Sequence, residues 1–297
     1  MLDRRHLLSF LPLAGCRSGK SRRIAVIPKA TAHLFFVSVH EGVNQAAKEF
    51  QAEVLWNGPS DETDHGRQIQ IVDSMVAQGV DGIVISATDE RALAAPLLRA
   101  RAAKIPIVIF DSAVAFDDYV SFIATDNHGA GCLAARRLAA LTSGKGEVAL
   151  IMQKPGGNST GLREQGFEET LGKEFPEMRI VARQFSMGDR AKARAVSENI
   201  LTANPNLAGI FASSEASSIG AIQAIRSRNM SGALKLVTFD DSKMHREALK
   251  DGTLQVMLVQ DPMRLGYEAV KVLIEHLRGG TPTRRIDLPV QEITATF

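Results

Sequence analysis

The chain has 297 residues, 45% of them apolar and 23% charged, with 35 basic and 33 acidic side chains leaving a formal charge of +2. That length allows two domains at roughly 100–200 residues each, and the near-balance of charge excludes binding to nucleic acid by phosphate neutralisation. Two cysteines, 5% aromatics and no run of the roughly 20 apolar residues a span requires exclude a disulfide scaffold, a zinc ribbon, a base-stacking platform and a membrane-spanning helix.

Arg4 and Arg5 precede an apolar run over 7–13 that ends in Leu13-Ala14-Gly15-Cys16. A short basic region, an apolar stretch and small residues at its end read as an export signal over residues 1–15. Its last four residues resemble the bacterial lipobox. That resemblance implies cleavage before Cys16, a lipid on Cys16, and a place in the periplasm or cell envelope. The run Asp3-Arg4-Arg5-His6-Leu7-Leu8 is also similar to a twin-arginine signal, without the usual Ser or Thr ahead of the arginines. Residues 16–22 form a polar tether. With Cys16 acylated, Cys132 has no disulfide partner and reads as a small buried side chain on an apolar helix face.

From Arg23 onward, short β-rich runs alternate with helical patterns, the rhythm of βα units around a parallel sheet. The first half gives strands at 24–28, 53–57, 82–86 and 105–111, near-continuous apolar runs of the kind buried on both faces. Between them, 36–50, 65–78 and 90–103 carry apolar residues at helical spacing, such as Ile69, Val72, Met75 and Val76, with Gly79 closing the second helix. The second half repeats the plan with strands at 147–152, 179–185, 209–212 and 235–240 and helices over 160–172, 191–203 and 215–228. Val108-Ile109-Phe110-Asp111 and Val237-Thr238-Phe239-Asp240 end a strand with Phe-Asp in both halves. Left over are 120–125, a helix over 263–278 and a terminal strand pair around 286–297. No Pro/Gly/Ser-rich linker separates the halves, which predicts a multi-stranded hinge between two doubly wound, Rossmann-like α/β lobes.

In open α/β sheets ligands bind beyond the carboxyl ends of the strands. Those ends carry Lys29, Ser86, Asp111 and Ser112 in the first half. In the second they carry Asn158, Ser159, Arg163, Ser213, Ser214, Glu215 and Asp240, and Gln260 follows the apolar run 254–259. Carboxylates, a guanidinium and amides facing one cavity suit a neutral ligand with many hydroxyls. Each hydroxyl donates to a carboxylate and accepts from Arg or Lys, at roughly 1.5–3 kcal/mol per charge-assisted bond. Phe35-Phe36 supplies a ring for the ligand's apolar face. The competing reading of Asp111 and Asp240 is that they cap the helices that follow them.

Two motifs fail on context. Gly157-Asn158-Ser159-Thr160-Gly161 fits G-x-S-x-G, but Gln153 to Asn158 separate Ser159 from the strand, and Pro155-Gly156-Gly157 reads as a loose loop rather than a sharp elbow. Asp240 with His245 or His276 follows in permissive order, although His276 beside Glu275 reads as surface. Gly129-Ala130-Gly131-Cys132-Leu133-Ala134 fits G-x-G-x-x-A, but the next strand ends in Gln153-Lys154 rather than the acid a ribose needs. Helix packing explains its small residues. The seven histidines, His40 and His128 among them, show no metal-ligand spacing, and neither a metal nor a cofactor is expected.

With these features in place, the chain resembles the type I periplasmic sugar-binding proteins, similar to the ribose-binding components of ABC importers. The resemblance rests on Ile24-Ala25-Val26-Ile27-Pro28-Lys29, Phe35-Phe36-Val37, Ile83-Val84-Ile85-Ser86-Ala87-Thr88-Asp89, Ala124-Thr125-Asp126-Asn127, Leu201-Thr202-Ala203-Asn204-Pro205 and Thr238-Phe239-Asp240, in that order. It implies a stacking role for Phe36 and hydroxyl contacts from Asp111, Arg163, Asp240 and Gln260. It also implies chain crossings near Thr125, Gln260 and Leu288, so that 23–125 with 261–287 form lobe 1 and 126–260 with 288–297 form lobe 2. The chain departs from ribose binders at Lys29, His33, Ser112, Ser214 and Gly188. Pro28-Lys29 and Trp56-Asn57-Gly58-Pro59 look more like rhamnose binders and furanosyl autoinducer receptors. The implied function is a monomeric, lipid-anchored protein that closes on a sugar, passes it to a membrane permease and catalyses nothing. The alternative is the ligand-binding core of a sugar-responsive transcription regulator, for which only 22 residues precede Arg23 where a helix-turn-helix would need roughly 50–60.

Overall fold

The computed structural model describes residues 21–295; the expected export signal, Cys16 and the expected tether up to residue 20 lie outside the described residues. The first half runs β1 (Arg23–Ile27), α1 (Leu34–Phe50), β2 (Glu53–Trp56), α2 (His65–Ala77), β3 (Gly82–Ile85), α3 (Ala94–Ala102), β4 (Ile107–Phe110) and β5 (Ser121–Thr125). The second runs α4 (Asn127–Leu141), β6 (Gly146–Met152), α5 (Asn158–Glu174), β7 (Met178–Phe185), α6 (Arg190–Ala203), β8 (Leu207–Ala212), α7 (Glu215–Ser227), β9 (Lys235–Phe239), α8 (Lys243–Lys250) and β10 (Val256–Val259). Then come α9 (Pro262–Leu277), β11 (Arg285–Leu288) and β12 (Gln291–Thr294).

The strands form two six-stranded sheets in the same order, β11-β5-β4-β3-β1-β2 and β12-β10-β9-β8-β6-β7. Pairing is parallel throughout except between β10 and β12. The apolar strands alternate between two helix layers, as a sheet covered on both faces requires. Ile83, Ile85, Ile107 and Ile109 face one cluster with Ile71, Val72 and Leu97, while Val84, Val108 and Phe110 face the other with Val39, Val43 and Leu265. The second sheet is sandwiched in the same way. The chain passes between the sheets three times, from β5 to α4, from β10 to α9 and from β11 to β12.

Glycines set how closely the helices approach. A Cβ on Gly131 of α4 would lie 2.0 Å from the carbonyl oxygen of Arg163 on α5, and one on Gly166 would lie 2.2 Å from that of His128. In the other lobe Gly42 and Gly266 hold α1 against α9 in the same fashion. The G-x-G-x-x-A stretch is thus a helix-packing surface.

Four expectations need correction. The two terminal strands do not pair with each other; β11 joins the first sheet and β12 the second. Helix α3 starts at Ala94, four residues late, because Asp89 accepts from the backbone N–H of Arg91 and Ala92 and holds a turn there. The loop over 153–157 is not loose, since it is clasped to the opposite lobe as described below. Cys132 is half-buried rather than buried, at the edge of the α4–α5 contact.

Candidate functional site: a polar cleft between the lobes

Strand ends of both sheets converge on one cleft. Asp111 follows β4 and Asp240 follows β9, the equivalent strands of the two lobes, and the side chains of both are buried. Neither caps the helix that follows it. Ser242 caps α8, Asp126 caps α4, and Asp240 instead accepts from the backbone N–H of Glu215 at the start of α7, 3.1 Å away.

On the first lobe, Lys29 Nζ lies 2.9 Å from Asp111 Oδ2, which also accepts from Ser86 Oγ at 2.7 Å. Beside this pair, His33 Nδ1 is 3.1 Å from Glu62 Oε1. Burial alone would drive these groups neutral, but their mutual charges win. Burial pulls Lys29 down, yet Asp111 and Glu62 raise it overall; burial pulls His33 down, yet Glu62 raises it overall. Glu62 is held well below the usual carboxylate range because Lys29 and His33 outweigh its burial.

On the second lobe, Arg163 is buried, with its guanidinium 3.8 Å from the Phe239 ring centroid. Its Nε donates to Asn127 Oδ1 at 2.8 Å and its Nη1 to the Ser213 carbonyl at 3.0 Å, and no carboxylate among the described residues is within 4.0 Å of it. Burial raises Asp240, with Arg163 and the Gln260 amide 2.7 Å away pulling the other way. Gln260 Oε1 in turn accepts from Thr125 Oγ1 at 2.7 Å, which joins two of the three chain crossings.

Nine of the eleven sequence-predicted residues line the cavity: Lys29, His33, Phe35, Phe36, Asp111, Arg163, Ser214, Asp240 and Gln260. Ser86 and Asn158 do not. Ser86 sits behind Asp111, and Asn158 lies on the rim, accepting from Ala113 N at 3.4 Å. Phe36 lines the cavity while belonging to the lobe core, where its ring lies 6.5 Å from that of Phe110. Sequence reading missed Glu62, Gln153, Thr160 and Ala216, which also line the cleft, and named Ser159 and Glu215 only as residues at strand ends. Gln153 reaches Glu62 across the lobes at 3.3 Å and accepts from Ser214 Oγ. Gln153 follows β6 as Lys29 follows β1, so the internal repeat pointed to it; Glu62 lies in the long β2–α2 loop, where no periodic signal exists.

Away from the crossings, the lobes meet chiefly through the segment 153–159. The Gly156 carbonyl accepts from Glu90 N at 3.2 Å, Lys154 Nζ donates to the Thr88 carbonyl, and Ser159 Oγ accepts from Lys29 at 3.1 Å. On the other side of the cleft, Phe35 N donates to Glu215 Oε2 at 3.4 Å. Ser159, the serine of the G-x-S-x-G stretch, therefore meets a lysine and not a histidine; His245 bonds Ser242 instead. Among the described residues, no group of three or more His, Cys, Asp or Glu side chains is placed to hold a metal, and no helix is long and apolar enough to cross a membrane.

Two six-stranded sheets of the same order, three crossings and a charged cleft between them define a class, and residues 24–281 match the periplasmic binding protein domain: the chain belongs to that family. It is 29% identical to the D-ribose/D-allose-binding protein of Pseudomonas aeruginosa, over 97% of this chain and 94% of that protein. It is 27% identical to the ribose import binding protein of Bacillus subtilis, over 86% and 82%. Among solved structures, it superposes with a TM-score of 0.90 and 30% identity on a carbohydrate transporter solute-binding protein from Agrobacterium radiobacter in complex with D-arabinose, covering 93% of this chain and 95% of that one. A solute-binding protein from Agrobacterium vitis bound to α-D-tagatopyranose gives a TM-score of 0.89 at 31% identity, covering 93% and 95%.

Proposed function

We propose that this protein captures a monosaccharide or a similar polyhydroxylated ligand between its lobes and delivers it to the permease of an ABC importer, making and breaking no bond. The observation that carries this reading is the arrangement of Asp111 on one lobe opposite Arg163 and Asp240 on the other. A ring hydroxyl bridging them donates to a carboxylate and accepts from the guanidinium at once. Only about 30 Å³ between these side chains is open to the centre of a water molecule, so a sugar enters only when the lobes part and is gripped when they close. Ligand-dependent closure is what lets a permease distinguish a loaded carrier from an empty one.

The protein acts as a monomer, tethered to the membrane by a lipid on Cys16 after removal of residues 1–15. Loss of palmitate labelling in Cys16→Ser tests the anchor. The ligand class is tested by thermal shift against pentoses, hexoses, deoxysugars and polyols. At least one should raise the melting temperature, and both Asp111→Ala and Arg163→Ala should abolish that rise. A rise that survives in both variants places the ligand elsewhere.

A further inference from the structure

Cys132 lies on α4, one helical turn beyond His128 and one turn before Arg136. Its Sγ is 3.7 Å from His128 Nδ1, and His128 Nε2 is 3.0 Å from Glu169 Oε2 on α5. An ionised carboxylate only accepts hydrogen bonds, so Nε2 carries the proton of the neutral ring and Nδ1 turns its lone pair toward the thiol. Glu169 is itself fixed by Gln165 Nε2 at 2.6 Å. Arg136, one turn further along α4 and held by Glu174 at 2.6 Å, adds a guanidinium within electrostatic reach of Cys132. The charged and titratable groups around the thiol are thus His128 and Arg136 from α4 and Glu169 and Glu174 from α5.

A nucleophilic cysteine needs a base, a group that orients the base, nearby positive charge and access from solvent. Here the base is His128, the orienting group is Glu169, the cation is Arg136, and the sulfur is half-buried rather than sealed. None of these side chains lines the sugar cleft, and packing alone does not call for a carboxylate on the histidine behind a cysteine.

We propose that Cys132 is a reactive thiol that exchanges with small disulfides and carries a reversible mixed disulfide. His128 Nδ1 takes the thiol proton. The Cys132 thiolate attacks one sulfur of the small disulfide RSSR, whose S–S bond breaks as the new Cys132–S–SR bond forms. The leaving RS⁻ takes the proton from His128 and departs as RSH. Cys132 is oxidised and the second half of the small disulfide reduced, so no other oxidant takes part. Glu169 is a positioning residue that acts through His128. An oxidising envelope compartment is where such disulfides persist.

The test uses the full chain and its Cys132→Ser variant with 5,5′-dithiobis(2-nitrobenzoate), the difference in rate isolating Cys132, from pH 5.5 to 9.5. Near pH 6.5 the wild-type thiol should react about tenfold faster than in His128→Gln, which keeps the side-chain volume but removes the base. Glu169→Gln, which leaves the helix contact in place, should fall between the two. The three rates should converge toward pH 9.5, where solvent hydroxide does the work of the base; a role in packing or access alone would separate them at all pH values. A wild-type rate that follows free glutathione across the range, or Gln variants that match the wild type near pH 6.5, would overturn the proposal.

Discussion

Asp111 and Asp240 stand at the same point of the two lobes, and both hold a left-handed backbone, with φ of 58° and 70°. Each donates its N–H to the neighbouring strand, to Ile123 O at 2.8 Å and Leu258 O at 2.9 Å, and each turns its carboxylate into the cleft. Residues with a Cβ avoid this conformation, Asp and Asn least. Replacing either residue by Ala or Gly should abolish sugar binding. The two replacements should differ in stability, however, because Gly accepts the positive φ. Asp240→Gly should be more stable than Asp240→Ala by about 1 kcal/mol, read from urea midpoints.

Gly131 should matter to Arg163 without touching ligand. With a Cβ only 2.0 Å from the Arg163 carbonyl, Gly131→Ala must push α4 and α5 apart. Overpacking of this kind costs about 1–3 kcal/mol. Denaturation should show that loss, and calorimetry should show weaker sugar binding. Gly161→Ala on α5, whose Cβ meets nothing within 4 Å, should leave stability within about 0.5 kcal/mol of wild type.

Glu62 bonds His33 and Gln153 and faces the buried Lys29, so its removal takes a buried carboxylate away from all three. Breaking one side of such a buried arrangement costs about 3–5 kcal/mol. Glu62→Ala should lower the melting temperature and weaken binding at least a hundredfold. Glu62→Gln should lie between it and the wild type, because the amide oxygen still accepts from Gln153 or His33.

Two buried groups outside the cavity oppose each other in pH dependence. Glu164 accepts from Gln153 N and Ser213 Oγ, at 2.9 and 2.8 Å, and burial raises its pKa to about 7 from 4.5. The stability it contributes is complete below pH 4.5 and is lost as pH rises through 7. Burial lowers His245 to about 4 from 6.5. Its contribution is present above pH 6.5 and is lost as pH falls through 4. At roughly 1.4 kcal/mol per pKa unit, each amounts to about 3 kcal/mol. The two slopes cancel between pH 4.5 and 6.5. Acidification across that range should therefore lower the melting temperature of Glu164→Gln relative to wild type and raise that of His245→Asn.

Strand identity was readable because strands covered on both faces are continuous apolar runs, and the Phe-Asp echo marked equivalent strand ends before any geometry was known. Asp111 and Asp240 followed from that repeat, and Arg163 and Gln260 from the polar residues beyond the strand ends and the family resemblance. Glu62 did not, since a loop residue recruited by two cations leaves no local pattern. The Cys132–His128–Glu169 cluster escaped for a related reason. His128 and Cys132 are one turn apart on α4, but the carboxylate comes from α5, and the contact depends on helices brought together at Gly131 and Gly166. The clasp at 153–159 was misjudged because Pro-Gly-Gly reads as slack in isolation, whereas Gly156 takes φ of 75° and a Cβ there would lie 2.3 Å from Asp89 Oδ2 across the cleft.

Small-angle X-ray scattering, with and without each saturating monosaccharide of the thermal-shift panel, addresses lobe closure most directly. The radius of gyration should shrink for the sugars that raise the melting temperature and for no others, and the recovered sugar should be chemically unchanged. A sugar that binds without compacting the protein, or that is recovered as a different compound, would contradict this account.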